Sequence, residues 1–191
     1  MNSTILFKFD INLIKMSKSI VITGGPGTGK TTLVESLKNQ GFECYPEISR
    51  EITLHARQNG IEQLFLSQPL LFSELLLDGR KKQYTDALKQ TDAFVFMDRG
   101  IPDILAYMHY IGDPYPAIFD AECKENRYHQ VFLLPPWEAI YVSDDARYET
   151  FEQAQRIFEH LKETYTYFGY EPILVPSDTP ENRVKFILNQ L

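Results

Sequence analysis

The sequence predicts an α/β fold, a five-stranded parallel sheet with helices on both faces. Two observations carry this prediction. Short apolar runs alternate with stretches of helical periodicity along the chain, the pattern of successive strand–helix–strand units. The first apolar run, Ser19-Ile20-Val21-Ile22-Thr23, also passes through a glycine-rich stretch straight into a helical pattern. In open parallel sheets ligands collect at the carboxyl ends of the strands. The residues that close each strand are therefore the candidates for chemistry.

The first strand covers about residues 18–23, and the stretch after it reads Gly24-Gly25-Pro26-Gly27-Thr28-Gly29-Lys30-Thr31-Thr32. Gly24, four residues, then Gly29-Lys30-Thr31 is the spacing of a phosphate-binding P-loop. Glycines let the backbone curl with its N–H groups inward and leave no Cβ to block a polyphosphate. The helix that opens at Lys30 adds unsatisfied donors and the positive end of its dipole. Gly25, Gly27, Thr28, Gly29, Lys30, Thr31 and Thr32 are thus expected to cradle a nucleoside triphosphate. Lys30 is expected to reach the β- and γ-phosphates, and the Thr31 hydroxyl to ligate Mg²⁺.

The following helix carries Leu33, Val34 and Leu37 on one face and stops near Gly41; a second strand, about 42–46, leads into Glu47. Residues 48–59 read as a polar helix. A stronger helix follows Pro69, with Leu70, Leu71, Leu75 and Leu76 expected inside and Arg80-Lys81-Lys82 at its solvated basic end. The third strand, Ala93 to Met97, ends at Asp98. Helices are expected over 101–111 and 115–126, divided near Pro114, before a fourth strand, Gln130 to Leu134. Residues 137–150 read as a loop and short lid. A long helix then places Phe151, Ala154, Ile157, Phe158, Leu161 and Phe168 at helical spacing and stops at Gly169; a fifth strand (172–175) and a closing helix (180–190) complete the pattern. The expected architecture is a three-layer α/β/α P-loop NTPase fold. Residues 17–191 form one domain, and residues 1–16 form a disordered extension, of which 1–15 alternatively reflect an upstream misread start at Met1 rather than Met16.

Several residues are candidates for chemistry. Asp98, after four apolar strand residues, is placed to bind Mg²⁺ opposite Thr31. Arg99 can clamp a phosphate or hold a neighbouring carboxylate bidentately. Glu47 at the end of the second strand can bind metal or orient and deprotonate an acceptor hydroxyl. Arg50, one helical turn on, is either an anchor for an anionic acceptor or a solvated side chain. Arg147, in the irregular segment 142–149, is either a lid arginine that would neutralise charge on the transferring phosphoryl group or a loop salt-bridge partner of Asp144 or Asp145; Arg156 is a weaker lid candidate. Arg80 alone of its basic cluster could reach an acceptor. Phe72 and Tyr107 could stack on a nucleoside ring.

Composition narrows the classes. The chain has 191 residues, a net charge of -7 and two cysteines, Cys44 and Cys123, without ligand-like spacing. This argues against a broad nucleic-acid surface and a disulfide framework, and reduced cysteines fit a cytoplasmic protein. The four histidines show no metal-like grouping, no apolar run is long enough to cross a bilayer, and the N-terminal segment lacks a signal-peptide pattern.

Taken together, Gly24 to Thr32, Pro46-Glu47, Met97-Asp98-Arg99-Gly100 and Asp145-Ala146-Arg147 resemble the small P-loop kinases. The match is to the AAA-like ATPase family that includes the nicotinamide-riboside kinase domain of NadR regulators; deoxyribonucleoside and thymidylate kinases are more distantly similar. The resemblance spans roughly residues 18–190. It implies that Lys30 and Thr31 handle phosphates and Mg²⁺, that Asp98 holds the metal, that Glu47 accepts the acceptor hydroxyl's proton, that Arg99 lies beside that hydroxyl, and that Arg147 is the lid arginine. Two departures stand out: a single lid arginine, and Gly100 where several nucleoside kinases carry serine. ATP is the expected nucleotide, with GTP open, since no Asn-Lys-x-Asp guanine-reading sequence occurs. The expected activity is transfer of the γ-phosphoryl of ATP–Mg²⁺ to a small, nucleoside-like hydroxyl acceptor. The alternative is a nucleotide-dependent binding switch or regulatory ATPase without such an acceptor; a mechanical motor would need a helical lid domain that the chain is too short to supply.

Overall fold

A computed structural model describes residues 17–141 and 149–191. The extension before residue 17 and the lid segment 142–148, with Arg147, lie outside the described residues. Among these residues the sheet has five strands, β1 (Lys18–Gly24), β2 (Glu43–Tyr45), β3 (Phe94–Asp98), β4 (Gln130–Leu134) and β5 (Ile173–Leu174). All pairings are parallel, in the spatial order β2-β3-β1-β4-β5. The helices are α1 (Lys30–Asn39), α2 (Ser49–Gln58), α3 (Leu64–Ser67), α4 (Pro69–Ala87), α5 (Pro102–Ile111), α6 (Ile118–Glu125), α7 (Phe151–Tyr167) and α8 (Pro180–Leu188), with a short 3₁₀ turn at Glu138–Ile140. No helix among the described residues is long and apolar enough to cross a membrane.

The near-continuous apolar strands are explained by burial on both faces. Alternate residues point to opposite sides of the sheet. Ile20, Ile22, Phe96, Phe132 and Leu134 pack with Leu33, Val34 and Leu37 of α1 and Val184 and Ile187 of α8. Val21, Val95, Met97, Val131 and Leu133 pack on the other side with Leu76, Leu77, Leu105, Phe119, Leu161 and Tyr165 of α4 to α7. Each large side chain buried this way contributes about 1.5–3 kcal/mol. Local signals set the helix boundaries. Proline opens α4, α5 and α8, Gly112 and Gly169 terminate α5 and α7 in left-handed geometry, and Thr150 with Gln153 forms a capping box on α7.

The helix after Pro69 departs from expectation. Leu76 is buried, but Leu70, Leu71 and Leu75 are each 40% exposed. The helix also continues to Ala87, so Arg80 lies in its interior, and it is buried rather than solvated. The short helix α3 turns the chain before Pro69. With it, α4 walls a cavity on the side of Phe72, Ser73 and Leu76, which leaves the opposite leucines outside.

Register positions the strand-end residues. Ile22 pairs with Asp98 and Gly24 with Leu134, so Asp98 emerges beside the start of the glycine loop. Tyr45 pairs with Met97. Two residues further along each strand, Glu47 and Arg99 therefore leave the sheet side by side.

Candidate functional site

The glycines of the loop from Gly24 to Gly29 sit where a side chain would collide with the protein itself. A Cβ at Gly24 would stand 2.9 Å from the Leu134 carbonyl oxygen. Gly27 and Gly29 have φ of +71° and +75°, a region that disfavours side chains. Thr28 Oγ1 donates to the Gly25 carbonyl at 3.0 Å and closes the turn. Arg183 on α8 donates from Nη1 to the Thr28 carbonyl at 2.9 Å and braces the loop from beneath. The Tyr141 ring packs directly against Gly27. Thr31 and Thr32 are exposed on the first turn of α1.

Lys30 is buried, and its Nζ donates to Asp98 Oδ1 at 2.5 Å. Burial lowers the pKa of the Lys30 ammonium and Arg99 adds to that, against the opposing pull of Asp98 and Glu47. Thr31 and Asp98 offer hard oxygen donors of the kind Mg²⁺ takes, with phosphate oxygens and water completing its shell. The Lys30 ammonium already shows that the Asp98 carboxylate accepts a cation, so the residues present fit the metal. Among the described residues no three acidic, histidine or cysteine side chains cluster to chelate a metal by themselves.

Next to this pair stands a second charged group. Glu47 Oε1 accepts from the Ser49 amide at 3.1 Å and from Arg80 Nη2 at 3.3 Å, and Oε2 is ion-paired with Arg99 Nε. Burial would raise the Glu47 pKa, but Arg80, Arg99, Lys30 and the Ser49 amide bring it down to about 2. Arg99 has φ of +75°, the left-handed region that bulky residues avoid. It is held there by Glu47, by Asp103 Oδ1, which accepts from Nη1 at 3.2 Å, and by its own N–H donating to the Ile22 carbonyl at 3.0 Å. Asp103 is fully buried and also accepts from Thr23 Oγ1 at 2.5 Å, Tyr165 Oη at 2.6 Å and the Gly100 N–H at 2.9 Å. A Cβ at Gly100 would stand 2.6 Å from Tyr165 Oη, which accounts for glycine there.

Glu47, Arg80, Arg99 and Asp103 line one end of a cavity of about 370 Å³ between α3, α4 and α5. Phe65, Phe72, Leu76, Tyr107 and Met108 form its apolar walls. The Arg99 guanidinium lies 5.4 Å from the centre of the Tyr107 ring. A larger groove, about 550 Å³ between α2, α3 and α4, touches none of Lys30, Glu47, Asp98 or Arg99, so the smaller cavity is the chemical candidate.

The structure brings Lys30, Glu47, Asp98 and Arg99 together, with the loop residues Gly25 to Thr32 leading into them. Arg147 lies outside the described residues. Arg50 is exposed and does not line the cavity. Sequence reasoning treated Arg80 chiefly as solvated and passed over Asp103 and Arg183. A signal for Arg80 was present: Ser73, Leu76, Leu77 and Arg80 share one helical face, and all four are buried. Arg183 likewise shares a face with Val184 and Ile187.

Comparisons with known proteins bear on the fold. A family model for an AAA domain matches residues 19–183. Deoxyadenosine kinase from M. mycoides, solved with bound dATP, superposes with a TM-score of 0.64 at 18% identity, over 90% of this chain and 98% of that one. The NadR protein, solved in complex with NR, gives 0.67 at 18% identity over 91% of this chain but 50% of NadR. Thymidylate kinase from Candida albicans gives 0.64 at 17% identity, over 92% and 91% of the two chains. No curated protein sequence matches the chain significantly. At these identities the structural likeness is one of fold. With the family match across 19–183, the strand-end site and the kinase-like architecture, the chain belongs to the AAA domain family of P-loop proteins.

Proposed function

We propose that this protein transfers the γ-phosphoryl group of ATP–Mg²⁺ to a hydroxyl of a nucleoside-like acceptor. The observation that carries the reading is the convergence of Glu47, Arg80 and Arg99 on one end of an aromatic-walled cavity adjoining the Lys30–Asp98 pair. The glycine loop would cradle the triphosphate and Lys30 would stabilise its γ end, with Asp98 and Thr31 holding Mg²⁺. When bound, the metal would supply charge neutralisation for the transferring phosphoryl group. Glu47 stays ionised, with a pKa near 2, so it orients the acceptor hydroxyl and accepts its proton only late, as a loose phosphoryl-transfer transition state permits. Arg147 is the proposed lid arginine.

The cavity favours an unphosphorylated acceptor. Among the described lining residues its cations are Arg80 and Arg99; Arg80 is engaged by Glu47, and Arg99 by Glu47 and Asp103. Phe72 and Tyr107 line the cavity and would flank a ring. The neighbours support the class, since they include a deoxyadenosine kinase and a NadR protein solved with NR. Both cysteines are buried free thiols, in keeping with a cytoplasmic setting.

A nucleotide switch needs no acceptor cavity, and one experiment separates the two readings. Wild-type protein and Glu47→Gln are assayed for ADP formation with ATP–Mg²⁺ across a panel of nucleosides. Acceptor-dependent turnover should fall by at least about 100-fold in Glu47→Gln while nucleotide affinity is kept. Turnover that is indifferent both to acceptor and to Glu47 would favour the switch.

A further inference from the structure

We infer that the outer face of α2, α3 and α4 is a self-association surface, on which a second copy of this chain docks about a two-fold axis. The groove of about 550 Å³ between these helices is lined by Ile52, Leu54, Ile61, Leu64, Leu71 and Leu75. Leu54 is 58% and Leu66 64% exposed, beside the outward Leu70, Leu71 and Leu75. Single leucines on a surface are ordinary, but five of them around one groove mark a contact site.

The charges beside the groove identify what covers it. Arg50, Leu54 and Arg57 stand at i, i+4 and i+7 on α2 and form one exposed face. Leu71, Glu74, Leu75 and Asp78 form an exposed face of α4 in the same way. Leu54, Leu71 and Leu75 share the groove, so a basic row on α2 runs beside an acidic row on α4, with Glu51 and His55 lining the groove as well. Among the described residues none of Arg50, Arg57, Glu74 and Asp78 is ion-paired. A partner of one charge sign would match one row and oppose the other. A second copy turned about a two-fold axis matches both, because its α4 meets the first copy's α2 and the reverse. The leucines of the two copies then cover each other's grooves. The net charge of -7 opposes chance association, so copies meet best where Arg50 and Arg57 offset Glu74 and Asp78. On their inner side α3 and α4 carry Phe65, Phe72 and Leu76 of the smaller cavity, so the dimer would brace that wall from outside.

The test is analytical ultracentrifugation of the full chain, with circular dichroism checking the fold of each variant. Wild type at about 50 μM should sediment at twice the chain mass, as expected for a micromolar dimer. Arg50→Glu/Arg57→Glu makes both rows acidic, and Glu74→Lys/Asp78→Lys makes both basic. Each double variant should weaken dimerisation by more than about 100-fold, because like charges then face each other. Mixed in equal amounts, the two variants should restore the dimer, since every row again meets its opposite. Leu71→Ser/Leu75→Ser should also favour the monomer. A wild type that is monomeric at this concentration would overturn the proposal. So would a dimer that the charge variants leave intact, or one that their mixture fails to restore. A monomer that dimerises only once residues 1–16 are removed would assign the groove to the chain's own first segment and overturn it too.

Discussion

Glu47 is an ionised carboxylate almost enclosed by protein, and two guanidinium groups hold it that way. Its depressed pKa has a consequence for stability. An unfolded glutamate titrates near about 4.3, whereas Glu47 in the folded protein titrates at about 2. Its pairing therefore stabilises the fold fully above the unfolded value, and that contribution is lost as pH falls through the folded one. The difference in unfolding free energy between wild type and Glu47→Gln should shrink as pH is lowered from about 5 to about 2; urea titrations at several pH values would check this, and a constant difference would speak against the pairing. The chemistry also sits next to backbone strain. Arg99 adopts positive φ because Glu47 and Asp103 fix both edges of its guanidinium. Asp98 was legible in the sequence because it ends an apolar strand, and Glu47 because it lies just past the second strand. Asp103 was not, because its partners Thr23 and Tyr165 lie 80 and 62 residues away and only the fold brings them together.

The elements around the site are tied to it through single contacts. Arg183 links α8 to the glycine loop through the Thr28 carbonyl. Arg183→Ala should weaken ATP–Mg²⁺ binding by about tenfold, given the worth of a charged hydrogen bond, without changing the acceptor dependence of turnover; calorimetry and steady-state kinetics would separate the two. The turn from β3 into α5 is packed against α7 so closely that Gly100 has no room for a side chain. Gly100→Ala should cost about 1–3 kcal/mol by overpacking, measured by denaturant unfolding, and a neutral effect would contradict that packing. Helix boundaries were readable wherever proline, glycine or a capping threonine marks them. The outward face of α4 was not. Its leucines run nearly all round the helix, so periodicity alone could not say which side meets the cavity.

At the scale of the molecule, the parallel order β2-β3-β1-β4-β5 gathers the ends of β1, β2 and β3 on one rim. The P-loop spacing and the alternation of strands and helices made that arrangement legible, and the AAA domain match and the superposed kinases agree with it. The cavity was much less legible, since Glu47, the α3–α4 pair and α5 are separate stretches of chain that come together around it only in the fold. ATP–Mg²⁺ at about a hundred times its dissociation constant should stabilise the whole domain by about 2.7 kcal/mol, seen as a raised unfolding midpoint. The most direct test of the central claim is phosphorus NMR of the protein turning over ATP–Mg²⁺ in the presence of a mixed nucleoside panel. The account predicts a new phosphomonoester resonance growing with ADP, and its loss in Lys30→Ala and Glu47→Gln. ADP and inorganic phosphate alone, at a rate unchanged by the panel or by Glu47→Gln, would contradict it.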